Sequence, residues 1–169
     1  MAALAATGLD PARLRIEITE HVLIADIGEA IAILTRLRQA GVRITIDDFG
    51  IGYSSLGYLR DLPTDTIKLD RSFIRSIDVN DGALSIIEGI TSLSHILGLA
   101  ITAEGIETPA QLASLRTIGC DRGQGFLLGR PTPASEAPPA FIVAMPRLKS
   151  VRTRRRGGDR RTGSSATGR

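Results

Sequence analysis

Four strand-like runs in this chain each end on a polar side chain that follows another polar one by two positions. The pairs are Arg15/Glu17, Thr45/Asp47, Thr66/Lys68 and Thr102/Glu104. Side chains two apart on a strand share a face, so each run carries a polar strip with a functional group near its C-terminal end. Between the runs, apolar residues recur at helical spacing: Ile27, Ala30, Ile31, Leu34 and Leu37, then Leu84, Ile87, Ile90, Leu93 and Leu97, then Leu112, Leu115 and Ile118. Gly41, Gly98 and Gly119 stop the three stripes. Strands alternating with helices imply parallel βα units. A barrel with a polar interior and its site at the strand ends fits this pattern. An open doubly wound sheet gives the same alternation and stands as the alternative fold.

The spacing predicts strands over Leu14–Thr19, Arg43–Asp47, Thr66–Asp70 and Leu99–Glu104, with a short one near Gly123–Leu128. Asp26 and Glu29 have capping-box spacing ahead of the first stripe. A short helix is expected near Ser54–Arg60, one helical turn over Ser72–Ile77, and a poor, proline-interrupted helix over Thr132–Ala144. Thr108-Pro109-Ala110-Gln111 combines a cap, a proline at the first helical position and a glutamine three after the cap. Residues 1–12 read as a turn region after something else.

Composition bounds the rest. The chain has 169 residues, 43% hydrophobic and 23% charged, as in one ordinary globular domain. No apolar run approaches the ~20 residues of a membrane span, and the N-terminus lacks the pattern of a secretory leader. The single cysteine, Cys120, excludes an internal disulfide framework and fits the reducing cytoplasm. The net charge of +3 conceals an asymmetry: from Pro146 onward there are nine Lys/Arg and one acid, and before it twelve Lys/Arg and seventeen acids. Residues 146–169 are Arg-, Gly- and Ser-rich, with little to bury, and read as a disordered tail. The tail lacks interleaved aromatics for stacking on single strands, so it reads as a solvated extension rather than a nucleic-acid arm.

The chemistry centres on Asp47-Asp48, at the end of a strand and before the loop with Gly50 and Gly52. Adjacent carboxylates repel, and holding both ionised calls for a cation. If the strands are parallel, Glu17, Asp47, Asp48, Lys68, Glu104 and Gln124 converge. Such oxygen donors suit Mg²⁺ or Mn²⁺. Two such ions about 3.5–4 Å apart form a clamp for phosphodiester hydrolysis. The two aspartates would serve neighbouring ions if their side chains diverge at the strand end. The residue-level reading is metal-dependent hydrolysis of a phosphate ester, against a solvated acidic turn with Lys68 as a surface charge. Phe49 and Tyr53 read as loop packing, and His95 and Cys120 as structural.

Five ordered segments resemble the EAL domain: LRIEITE (Leu14–Glu20), DDFGIGYSSL (Asp47–Leu56), IKLD (Ile67–Asp70), AEGIE (Ala103–Glu107) and GQGF (Gly123–Phe126). The resemblance spans about residues 8–143. It implies a TIM-like barrel that hydrolyses cyclic di-GMP to linear pGpG with Mg²⁺ or Mn²⁺. By resemblance, Glu17, Asp47 and Asp48 are metal ligands, and Lys68 lies beside the catalytic water. Glu104 supports the metal site, Gln124 lies near the water and the lysine, and Glu20 anchors the loop from Phe49 to Leu56.

Some departures bear on activity. No Glu-Ala-Leu tripeptide occurs in the chain. The substrate arginine that follows it in the family, and an asparagine ligand on a later strand, have no counterpart either. Ile51, Phe126 and His21 are lesser departures. A full barrel takes about 250 residues. The expectation is therefore the C-terminal half of an EAL barrel over residues 1–145, with about five parallel strands. Such a chain would be inactive or weak alone, and would self-associate or pair with the missing half. A nucleotide-binding or protein-interaction module, or a gene remnant, are the alternatives.

Overall fold

The computed structural model describes residues 2–20, 27–51, 56–77, 81–133, 135–136 and 143–144. Asp26, His21, Tyr53 and the basic tail lie outside them. In chain order the elements are α1 (Ala2–Thr7), a 3₁₀ turn (Pro11–Arg13), β1 (Arg15–Thr19), α2 (Ile27–Gln39), β2 (Arg43–Phe49) and α3 (Leu56–Leu59). There follow β3 (Thr66–Leu69), α4 (Arg71–Arg75), α5 (Asp81–Ile96), β4 (Ala100–Ala103), α6 (Pro109–Thr117), β5 (Arg122–Gly123) and β6 (Val143–Ala144).

The strands form one sheet in the order β1-β2-β3-β4-β5-β6. The first five are parallel, and β6 runs antiparallel to β5. Sequential parallel neighbours joined by helices make the rhythm of a (β/α) barrel, here part of one; an open doubly wound sheet would reverse its strand order.

Burial follows position in the sheet. At the edge, β1 alternates, with Arg15, Glu17 and Thr19 exposed and Ile16 and Ile18 half-buried. At the centre, all four residues of β3 are buried. Ile44, Ile46, Ile67, Leu69 and Ile101 form the core with Leu34, Ile74, Ile87 and Leu115, each such burial contributing about 1.5–3 kcal/mol. The opposite, polar strip of Thr45, Thr66 and Thr102 is buried as well.

Local chemistry sets the ends. Thr108 accepts from the Gln111 amide while the Gln111 side chain accepts from the Thr108 amide, a complete capping box. Asp70 is not the last residue of β3: its side chain accepts from the Ser72 amide and starts α4 at Arg71.

The sequence expectation differs in two further places. The strand expected over Gly123–Leu128 is only two residues long, because Gly125 lies against the backbone of Ile106 and the chain turns there. A Cβ on Gly125 would sit 2.2 Å from Ile106 N. The helix expected over Thr132–Ala144 is absent among the described residues, and Val143–Ala144 pair with β5 instead. Four prolines between 131 and 139 remove amide donors a helix requires.

Candidate active site

Lys68 lies on the central strand with its side chain only 10% exposed. Its ammonium donates to Glu17 Oε2 at 2.8 Å, and lies 2.9 Å from Asp47 Oδ1 and 2.8 Å from Glu104 Oε1. The three carboxylates come from β1, β2 and the end of β4, so four parallel strands deliver one polar group each to the same point. Burial alone would lower the Lys68 pKa, but hydrogen bonds to Glu104, Glu17 and Asp47 together raise it above its ordinary value of 10.5. Lys68 is therefore a cation throughout the neutral range. Glu104 shifts the other way from a usual ion-paired acid: burial raises its pKa, Lys68 pulls against this, and Asp47 and Glu17 add to the rise.

Adjacent residues on a regular strand point to opposite faces, so Asp47 and Asp48 should diverge. They do not. Ile46 pairs with Ile67 and Phe49 with Leu69, so β2 takes three steps where β3 takes two. This bulge places an extra residue in β2, and Asp48 adopts φ 53°, a left-handed conformation that aspartate tolerates better than most residues. Each of Asp47, Asp48 and Glu104 consequently offers a carboxylate oxygen within 4.8 Å of the other two. Oxygens bound to one Mg²⁺ at about 2.1 Å lie no more than about 4.2 Å apart. The trio stands close to ligating separation, and its all-oxygen donor set fits Mg²⁺ or Mn²⁺.

The loop beyond is anchored from below. Glu20, 3% exposed, accepts from the Gly50 amide at 3.1 Å. Gly50 has φ 96°, and a Cβ there would meet the Phe73 ring at 2.5 Å. The sequence therefore needs glycine at the turn that follows the aspartate pair.

A cleft of about 530 Å³ opens beside the acids, lined among others by Asp48, Glu104, Arg71, Gln124 and Phe126. Gln124 is exposed, and its backbone spans Ala103 O and Ile106 N. Among the described residues its side chain makes no hydrogen bond to Lys68. Arg71 was not singled out from sequence. Its place at the first position of α4, directly after IKLD, is the signal that could have found it. Gly105, at φ 72°, lets Arg71 approach: a Cβ on Gly105 would lie 2.5 Å from Arg71 Cβ.

The EAL domain family profile matches residues 1–131. The chain belongs to the EAL domain family. It is 47% identical over 131 residues to the cyclic di-GMP phosphodiesterase NbdA of Pseudomonas aeruginosa, covering 78% of this chain and 17% of that protein. Among solved structures it is similar to the PaMucR phosphodiesterase in its c-di-GMP complex, with TM-score 0.75 and 45% identity over 79% of this chain and 54% of that one. It is also similar to Klebsiella pneumoniae BlrP1 in a manganese/cyclic di-GMP complex, with TM-score 0.72 and 36% identity over 77% of this chain and 33% of that one. This EAL chain thus spans a minor part of its relative's length and about half of the first structure's. No helix among its described residues is long and apolar enough to cross a membrane.

Proposed function

We propose that this chain is the C-terminal part of a cyclic di-GMP phosphodiesterase site, with residues 1–145 in the EAL domain and 146–169 a basic extension. The observation that carries the reading is the convergence of Glu17, Asp47 and Glu104 on Lys68, with Asp48 turned into the same mouth. The reaction consumes one water: its oxygen bonds phosphorus, a P–O bond to a ribose 3′ oxygen breaks, and that oxygen leaves with a proton, giving linear pGpG. Asp47, Asp48 and Glu17 would hold Mg²⁺ or Mn²⁺, with Glu104 in support. Bound divalent ions supply charge against the phosphate oxygens and acidify a water.

The protein's own groups do the rest. Lys68, charged throughout the neutral range, serves as a donor to a water or a phosphate oxygen and not as a base. Glu104, with its raised affinity for protons, is the acid best suited to take one from water. Gln124 and Arg71 line the approach. The compartment expected for this reading is the cytoplasm, where the buried, lone Cys120 thiol stays reduced.

The chain alone is expected to hydrolyse little or no cyclic di-GMP, since the family's Glu-Ala-Leu ligand and substrate arginine lie on strands it does not contain. The test is hydrolysis at saturating Mn²⁺, followed chromatographically, for the chain alone and for the chain fused behind the N-terminal part of an EAL barrel. Turnover is expected in the fusion and should vanish with Lys68→Ala. An inactive fusion that still binds the dinucleotide would overturn the phosphodiesterase reading. Equal rates for chain and fusion would overturn the need for a second half. The exposed inner side of β1 further leads us to expect concentration-dependent melting from self-association.

A further inference from the structure

The same inner face carries a second polar cluster at the opposite, N-terminal ends of the strands. It surrounds a cleft of about 560 Å³ lined by Arg15, Arg38, Arg43, Arg122, Asp65 and Thr66, among others. Arg15 Nη1 donates to Thr45 Oγ1 at 3.2 Å and to Thr66 Oγ1 at 3.3 Å, and Arg122 Nη1 donates to the same Thr66 oxygen at 3.4 Å. Two guanidinium groups thus share one hydroxyl and stand within about 7 Å of each other, close enough to repel.

The donors there outnumber the acceptors. Among the described residues Asp65 is the one acid lining the cleft, and it is already engaged: Oδ1 lies 3.6 Å from Arg38 and 3.5 Å from Arg43, and Oδ2 accepts from the Ile44 amide at 3.0 Å. His95 at the rim faces Asp121 at 3.0 Å. Among the described residues, neither Arg15 nor Arg122 has a carboxylate partner. The hydroxyls of Thr45 and Thr66, 0% and 2% exposed, accept from the arginines. Each then has an O–H left to give. The Thr66 hydroxyl between the two planar guanidinium forks of Arg15 and Arg122 turns donors toward the cleft, a set that a small anion with several acceptor oxygens completes.

We propose that the Arg15–Thr66–Arg122 cluster is a binding site for a phosphate-class oxyanion, at the end of the strands opposite the acidic mouth. The inference does not rest on the phosphodiesterase reading. It uses none of the acidic residues, and neither outcome of the hydrolysis assay bears on it.

The test titrates inorganic phosphate into the full chain in EDTA, which keeps divalent ions from recruiting phosphate to the carboxylates. Melting temperature is read against sodium chloride at matched ionic strength. A saturable rise with phosphate, absent in chloride, is expected for the parent chain. Arg15→Gln/Arg122→Gln should abolish it. Arg15→Lys/Arg122→Lys, which keeps the charge but loses the fork, should weaken binding several-fold and serves where the first variant does not fold. A phosphate response equal to that in chloride overturns the proposal. So does a full response in both double variants, which would place the phosphate elsewhere on the chain.

Discussion

The two ends of one sheet face carry opposite charge, built from the same strands. At the C-terminal ends, Glu17, Asp47 and Glu104 surround a single ammonium, with Asp48 beside Asp47 and Glu104. At the N-terminal ends, four arginines face the single carboxylate of Asp65. The step between the layers is two residues, about 6.6 Å along a strand, so Arg15 and Glu17 belong to different chemical environments on one five-residue element. The ends also differ in construction. The acidic end closes on a buried cation, with its three ion pairs to Lys68 all under 3 Å. The basic end rests on shared hydroxyls and ion pairs of 3.5–3.6 Å. The acidic end gathers its charge around one buried partner, the basic end spreads its charge over separate side chains, and each leaves a surplus for an ion of opposite sign.

Removing the cation should break this contrast most severely. Lys68→Met leaves three carboxylates facing one another, and the expected loss in urea denaturation is about 3 kcal/mol, the low end for an orphaned buried charge because Glu17 is half in water. A loss no larger than for a surface lysine would show that the centre is not closed as described.

Alkali should reach the same end without a mutation. The Lys68 pKa is raised on folding, so its stabilisation is fully present below 10.5 and is lost as pH climbs through the higher folded value. The stability gap between parent and Lys68→Met should stay level up to pH 10.5 and narrow beyond it.

Metal binding should be sensitive to one end only. Asp47→Asn is expected to weaken Mn²⁺ binding by about tenfold, about 1.4 kcal/mol, measured by titration calorimetry. Arg122→Gln should leave it unchanged. Equal Mn²⁺ affinity in Asp47→Asn and parent would remove Asp47 from the ligand set. The smallest effect belongs to Arg15→Gln without phosphate, where an exposed residue relieved of a like-charged neighbour should shift stability by no more than about 0.5 kcal/mol.

Much of this was legible in sequence because period-two patterning reports a strand's face regardless of what lies across from it. Glu17, Lys68 and Glu104 were placed on that basis, and Thr108 with Gln111 announced α6. Three features were not legible. Gly125 shortens β5 through contact with Ile106, nineteen positions earlier in the sequence, which no local pattern records. Val143–Ala144 join the sheet by pairing alone, in a stretch whose prolines argue only against helix. Asp47 and Asp48 were read at one site, but the register shift that overrides strand parity to bring them there is visible only beside β3. The arginine layer was hidden differently: Arg15 was read as the lesser member of a pair whose partner carried the chemistry.

The shift in β2 has a consequence for how such a site could be lost. One supernumerary residue acts as a parity switch, turning neighbours in the chain into neighbours in space. Inserting a single residue in β3 between Ile67 and Leu69 would match three steps with three, leaving both acids in the sequence while sending one to the far side of the sheet. A variant of that kind would keep every residue type a motif search looks for and still have no place for a divalent ion. The coordination sphere is therefore encoded partly in a count, and inventories of conserved-looking acids would overlook its disappearance.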